Sequence, residues 1–327
     1  MQTFEFSAAA ELERADALLA DPATLAIAGG TSLLDLMKLG VERPARLVDI
    51  TALPLEAIEE IDGGVRIGAL ARNSDVAYHP LVRKRFPALS EALLAGASAQ
   101  LRNMATVGGN LMQRTRCTYF RETTWACNKR EPGSGCAALE GFHRGHAVLG
   151  TSEACIATHP SDMAVALAAL DAVVVTRRGS QSRRIPAGDF HLEPGATPQR
   201  ESVLDSRELI VAVELHDQPI ARRSTYVKLR DRASFAFALA SAACALTLGR
   251  DGTIAEARIA LGGVATKPWR AREAEATLAG TRPSREAYRR AADVAFASAV
   301  PRRDNGFKIE LGKRAVVRAF DRLKQLP

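Results

Sequence analysis

The stretch AIAGGTSLLDLMK, residues 26–38, runs as an apolar strand, halts on Gly29-Gly30 and resumes with the spacing of a helix. Thr31 or Ser32 is the candidate N-cap, because a hydroxyl there accepts from an N–H that the first helical turn leaves unpaired. Glycines at such a turn free successive backbone N–H groups, which together with the helix start can hold a phosphate. The same residues also suit a plain strand-to-helix turn. On either side the chain keeps alternating. TFEF reads as a strand, residues 8–20 as a helix, TLAIAGG as a buried strand, Ser32 to Leu39 as a short helix and ARLVDI as a further strand, a small βαβ-like unit.

A second loop, ATVGGNLMQ at 105–113, offers the same chemistry: a threonine hydroxyl, a Gly-Gly pair that lets backbone approach a ligand, and an asparagine amide. Neither loop fits G-x-G-x-x-G or G-x-x-x-x-G-K-[ST], which disfavours the usual dinucleotide fold and the P-loop. Two separated nests facing one diphosphate suit a large dinucleotide such as FAD.

Between the loops, LEAIEEIDGGVRIGAL predicts two strands turning at Asp62-Gly63-Gly64, followed by helices at 73–78 and 88–97. An irregular region then runs from Gln100 to His159, a length that is unusual without a function. DMAVALAALDA predicts a helix feeding the strand VVVTRR, ELIVAVEL at 208–215 another strand, and Asp217 to Ala221 a linker. Beyond it STYVKLRDR, SFAFALASAACALTL and TIAEARIALGGVA read as three strand-rich segments, the last two joined by Gly249-Arg250-Asp251-Gly252. Helical patterns at about 270–279, 284–298 and 308–325 close the chain, so the class is α+β, with one domain over 1–220 and another over 222–327.

The totals agree with a folded two-domain chain: 327 residues, 47% hydrophobic and 25% charged. No apolar run of about 18 residues is present to predict membrane insertion. The first twenty residues carry Glu5, Glu11 and Glu13 and lack a basic start before an apolar stretch, so no secretory signal is expected on this chain. A net charge of +7 is scattered among acids and accompanies no nucleic-acid-reading motif; an acidic cofactor or an acidic partner face accounts for it.

AGGTSLLDLM, TVGGNL some 75 residues later and THPSD at 158–162 resemble the flavin subunit of the molybdenum hydroxylases, the xanthine dehydrogenase and carbon monoxide dehydrogenase family. The likeness continues through ELIVAVEL and YVKLRDRASFAFA to LGGVATKPW at 261–269. It implies an FAD-binding domain of the vanillyl-alcohol-oxidase (PCMH) type in two subdomains, about 1–55 and 56–220, then a CO-dehydrogenase-flavoprotein-like domain of small sheet plus helices. It further implies that Ala28, Gly29, Gly30, Thr31, Ser32, Leu33 and Leu34, with Thr106, Gly108, Gly109 and Asn110, hold the diphosphate and ribityl part of FAD. Asp162 would face the adenosine, and Ile210 and Lys228 the isoalloxazine. A cation there would stabilise the anionic reduced flavin, although a strand lysine also commonly points to solvent.

Cys117, Cys127, Cys136 and Cys155 are separated by nine, eight and eighteen residues, whereas Cys244 sits in the apolar ASAACALTL as a small hydrophobe. The spacings lack the short biting pairs of zinc sites, and a chain of this size does not need disulfide staples. An iron–sulfur site, disulfides, zinc and unligated thiols all remain open on spacing. Arg114, Arg116, Arg121, Lys129 and Arg130 are expected to offset thiolate charge and lower the thiol pKa values, and Pro132-Gly133-Ser134-Gly135 to aim amides at cluster sulfurs. QRTRC, CNKREPGSGCAALEGF and EACIATHPSDMAVA resemble the aldehyde oxidoreductase subset of the family, whose flavin subunit also holds a [4Fe-4S] cluster. The resemblance assigns all four cysteines to that cluster, within a loop of 113–157.

What it implies is an electron-transfer subunit of a heterotrimer, with no catalytic residue of its own. A molybdenum-cofactor subunit would oxidise an aldehyde, a [2Fe-2S] subunit would relay electrons to the FAD, and an external electron acceptor would take them. Flavin subunits of hydroxybenzoyl-CoA reductase-type complexes, and a self-contained flavin oxidoreductase using His143, His146 or His159, are the alternatives. Relatives of this subset reach the periplasm with a signal-bearing partner; a cytoplasmic location is the alternative.

Overall fold

The computed structural model describes residues 1–324. Its first unit is a parallel sheet of β1 (Glu5–Ala8), β2 (Thr24–Ile27) and β3 (Arg46–Asp49) in the order β1-β3-β2, with helices Leu12–Leu18 and Leu33–Lys38 as the crossovers. Parallel neighbours require such crossovers, which is why alternating strand and helix signals are readable here. The second unit is an antiparallel sheet of β4 (Ile58–Ile61), β5 (Gly64–Gly68), β6 (Val173–Arg178), β7 (Gln181–Pro186) and β8 (Leu209–His216), ordered β4-β5-β8-β6-β7. The hairpin at Gly63 turns with φ +70, a conformation open to glycine.

Helix Asp162–Ala169 is apolar on all sides after its first residue, and all eight of its residues are buried. Ser161 caps it, its Oγ accepting from the amide of Ala164 at 2.9 Å. This helix is the hub of the molecule: Val165 packs against Gly262 of the C-terminal sheet, where any side chain would collide with it.

That sheet is antiparallel, β9 (Ser224–Leu229), β10 (Ala240–Leu248), β11 (Ile254–Gly262) and β12 (Trp269–Arg270), ordered β12-β11-β10-β9. Helices Arg285–Ala295 and Phe307–Lys324 cover it, with Tyr288 stacked on Phe320 at 4.8 Å. The expected continuation of the last helix to residue 325 lies outside the described residues.

Several sequence expectations need correction. SFAF is not strand: Phe235 has φ +50, and pairing begins only at Ala240. The expected linker at 217–221 holds a helical turn, Pro219–Arg222. β7 and helix Pro80–Arg85 were not anticipated, because QSRRIP is an exposed edge strand without alternation.

The long region from Gln100 to His159 contains three short helices, Ala99–Arg102, Val107–Leu111 and Thr118–Arg121. Elsewhere it is irregular but anchored. The amide of Val148 donates to Val264 O at 2.8 Å and that of Val300 to Val148 O at 2.8 Å, so the C-terminal domain holds its far end. Among the described residues, no helix is long and apolar enough to cross a membrane.

Candidate functional site: a cleft across two glycine loops

The two glycine loops abut. A Cβ on Gly29 would collide with the carbonyl oxygen of Met104, just before the second loop, and Gly30 takes φ +69. Ser32 stands at the N-cap of helix Leu33–Lys38 without making a side-chain cap bond, and of the first-turn amides that of Leu34 donates to Gly30 O at 3.1 Å. In the second loop the Thr106 Oγ1 accepts from the amide of Gly109 at 3.2 Å and starts helix Val107–Leu111. Asn110 is fixed by its own oxygen, which accepts from Ser161 Oγ at 2.7 Å and Gln113 Nε2 at 2.6 Å, leaving its NH2 as the outward donor.

Around these loops lie three cavities that share walls. One of 250 Å3 is floored by Ala28 to Leu33 and roofed by Thr106 and Gly109. It meets a cavity of 810 Å3 at Thr31, Ser32 and Gly109, and one of 360 Å3 at Met112 and Arg114. The smallest cavity thus shares walls with both larger ones and makes a waist along the glycine loops. A dinucleotide fits this form: diphosphate at the waist, a ring system beyond.

The 810 Å3 cavity contains Asp162 and Lys228 together. Lys228 Nζ donates to Asp162 Oδ2 at 2.7 Å and to Ala95 O at 3.1 Å, and the Tyr226 hydroxyl donates to Asp162 Oδ1 at 2.5 Å. Burial, with the Asp162 charge beside it, pushes Tyr226 well above its ordinary range, which keeps it a donor. Asp162 and Lys228, which the resemblance assigns to different parts of FAD, are joined here by one ion pair, so Lys228 arrives with its charge already paired. Ile210 is likewise not a wall of these cavities; 7% exposed in β8, it backs the Cα of Gly108 and supports the second loop from beneath.

The four loop cysteines gather at one flank. Cys127 and Cys136 face each other across a two-residue ladder, flanked by Asn128 N to Gly135 O at 2.7 Å and Ala137 N to Ala126 O at 3.0 Å. Cys155 is a wall of the 360 Å3 cavity. The thiols are close enough to feel one another's charge: Cys117 with Cys155 and Cys127, Cys155 with Cys136 and Cys127, and Cys136 with Cys127. Burial pushes Cys117 up to about 12 and raises Cys136 and Cys155, opposite to the lowering expected from the arginines.

Those arginines are occupied elsewhere. Arg116 and Arg121 pair with Asp35 at 3.0 and 2.6 Å, Arg114 with Glu42 and Glu201, and Arg130 donates to the carbonyls of Tyr119 and Phe120. Lys129, by contrast, acts on a thiol, favouring the anion of Cys155. The Pro132–Gly135 turn also spends its amides internally, Gly135 N on Asn128 Oδ1 at 2.8 Å and Ser134 N on Glu131 O at 3.1 Å. The amides that reach sulfur come instead from Tyr119 and Phe120 to Cys117, from Ala138, Leu139 and Ile156 to Cys136, and from Ala157 to Cys155.

Among the described residues no group of three or more His, Cys, Asp or Glu converges on a single metal ion. Thiols that ring a body larger than one ion do not need to converge, and backbone N–H groups aimed at sulfur are the donors an iron–sulfur cluster uses. The donor set fits such a cluster. Cys244, fully buried in β10, is the small hydrophobe anticipated.

Residues 2–216 match the FAD binding domain in molybdopterin dehydrogenase. The chain belongs to that flavoprotein family. Residues 224–323 of the flavoprotein match the CO dehydrogenase flavoprotein C-terminal domain. It is 55% identical to the aldehyde oxidoreductase FAD-binding subunit PaoB of Escherichia coli (strain K12) over 298 residues, 90% of each chain. It is 29% identical to the carbon monoxide dehydrogenase medium chain of Hydrogenophaga pseudoflava, over 97% of this chain and 96% of that one. The solved carbon monoxide dehydrogenase from H. pseudoflava that lacks the Mo-pyranopterin moiety superposes with a TM-score of 0.77 at 28% identity, over 98% and 96% of the two chains.

Sequence reasoning missed the residue that joins the two halves of this flavoprotein's site. Glu201 accepts from Arg114 Nε at 2.6 Å and Lys129 Nζ at 2.7 Å, linking the residues after the second glycine loop to the cysteine loop. Burial alone would push Glu201 up, but Arg114 and Lys129 outweigh it and hold its carboxyl below the usual 4.5. Such a group stabilises the fold fully above pH 4.5, and its contribution is lost as pH falls through the lowered value. Glu201→Gln is expected to cost about 1–3 kcal/mol at neutral pH. In denaturation curves at stepped pH, the gap to the unmodified protein should close on the acid side.

Proposed function

We propose that this flavoprotein is the electron-relay subunit of a heterotrimeric molybdenum-dependent aldehyde oxidoreductase, and that Cys117, Cys127, Cys136 and Cys155 hold a [4Fe-4S] cluster beside its FAD. The observation that carries the reading is the position of Cys155, which is at once one of the four gathered thiols and a wall of the cleft that the glycine loops build. The 55% identity with an aldehyde oxidoreductase FAD-binding subunit supports the substrate class.

FAD and the cluster, when bound, supply the redox chemistry: electrons enter and leave one at a time on the cluster and singly or in pairs on the flavin. The chain's own work is positional. The amides of the first glycine loop would neutralise a diphosphate; Asn110 would donate from its NH2, and the buried Asp162–Lys228 pair offers an acceptor and a donor to a ring edge. Buried thiols and the amides of Tyr119, Phe120, Ala138 and Ala157 would exclude water from the cluster and share its negative charge. A molybdenum-cofactor subunit and a [2Fe-2S] subunit would be the electron source, and an external acceptor the sink.

Purification without air, with both partner subunits coexpressed, tests the reading. The expected product is a three-subunit complex whose flavin band bleaches on adding aldehyde, and whose flavoprotein chain retains four irons and four sulfides. A flavin-containing chain free of iron would refute the cluster, and bleaching that does not depend on aldehyde would refute the substrate class.

A further inference from the structure

We propose that His146 donates its Nε2–H to the Sγ of Cys117, held in place by the start of the C-terminal helix, and that this bond raises the reduction potential of the cluster. The inference rests on the cluster reading above. His146 is 4% exposed, and its Nε2 lies 3.2 Å from the Cys117 sulfur. A cysteine that ligates iron carries no proton, so of these two atoms only the nitrogen can supply the hydrogen. The other ring nitrogen, Nδ1, is buried without a hydrogen-bond partner. A neutral imidazole has one N–H; on Nε2 it finds an acceptor, whereas on Nδ1 it would be a stranded donor, the costlier arrangement.

The other domain fixes this ring. Lys308 and Asn305 are both fully buried. Lys308 Nζ donates to His146 O at 2.9 Å and to Gly263 O at 2.7 Å, while Asn305 Nδ2 donates to Ala147 O at 3.1 Å. Three residues back, the amide of His143 donates to Asp304 Oδ2 at 3.1 Å, and the amide of His146 closes the turn on His143 O at 2.7 Å. Asp304, Asn305 and Lys308 thus clamp both ends of the His143–Ala147 turn, and Tyr119 flanks the ring with centroids 6.0 Å apart. A lysine buried to cap a carbonyl is an expensive device for a surface loop, and it makes sense when the side chain it orients has a task. An N–H directed at a ligating sulfur stabilises the more negative, reduced cluster, which moves its potential upward.

The test uses the complex purified without air, as unmodified protein, His146→Leu and His146→Gln, with iron and sulfide measured and the cluster midpoint followed by EPR during a redox titration. At equal iron content His146→Leu should have a more negative midpoint, and His146→Gln, which keeps an amide donor, should recover part of the shift. A second measurement needs no variant: with nitrogen-15-labelled histidine, the reduced cluster of the unmodified protein should show a coupled histidine nitrogen and a coupled proton that exchanges in heavy water. An unmoved midpoint in His146→Leu at full iron content overturns the proposal, as does absence of the nitrogen coupling. If His146→Leu loses its iron, the coupling alone decides. Unmodified protein without four-iron clusters would instead overturn the cluster reading itself.

Discussion

Gly29→Ala is expected to produce a chain that purifies with little or no flavin. The added methyl would stand inside the carbonyl group of Met104, and neither partner can yield as a side chain would, because both are backbone. The two glycine loops must part, and overpacking of this kind costs about 1–3 kcal/mol even where relief is possible. The separation falls at the waist of the cleft, where the amides of the first glycine loop and the NH2 of Asn110 have to converge on one group. Diphosphate affinity depends on that convergence, so loss of flavin should far exceed loss of fold. The flavin-to-protein ratio after gel filtration measures the first, and a thermal melt the second. Full flavin occupancy in Gly29→Ala would show that the loops do not form the diphosphate site.

If the four thiols hold the cluster proposed above, Cys127→Ser should abolish the iron of this chain and leave its FAD. Cys127 is 8% exposed and faces Cys136 across an isolated antiparallel bridge, so the pair presents two sulfurs from one turn. A hydroxyl there holds its proton far more tightly than a thiol and is a poorer ligand for iron. The glycine loops lie on other elements and keep their geometry. Cys244→Ser is the matched control: burying a hydroxyl in β10 costs about 1–3 kcal/mol, yet iron should be unchanged. Iron and labile-sulfide analysis beside an absorption spectrum separates the outcomes, and equal iron in both variants would remove Cys127 from the site.

What could be read from the sequence was local. The βαβ-like unit, the Gly63 hairpin, the glycine loops and the crowding of cysteines all follow from patterns a few residues long. Strand β7 escaped because four consecutive exposed polar residues, Gln181 to Arg184, precede its one buried position, Ile185, and leave no alternation to detect. The SFAF segment misled for the opposite reason, since aromatic residues at strand-like spacing leave no mark of the left-handed backbone at Phe235. The site's larger errors were electrostatic. Charge near the cysteines in sequence suggested arginines serving thiols, but each guanidinium found a carboxylate or carbonyl brought in by another element, such as Asp35 or Glu42. The Asp162–Lys228 pair joins residues 66 apart, and Lys308 reaches His146 across 162. Contacts of that range are properties of the fold, and no local pattern announces them.

The anchoring of Val148 by Val264 and Val300, and of His146 by Lys308, sets an order on biosynthesis. Ribosomes emit Cys155 well before Lys308, and at about 5–20 residues per second the thiols wait on the order of ten seconds for the segment that immobilises their loop. Until then the loop is tied to its own domain by the ion pairs of Arg114, Arg116, Arg121 and Lys129. Afterwards the carbonyls of His146, Ala147 and Val148 are held as well, so the end of the polypeptide completes a segment that its middle began.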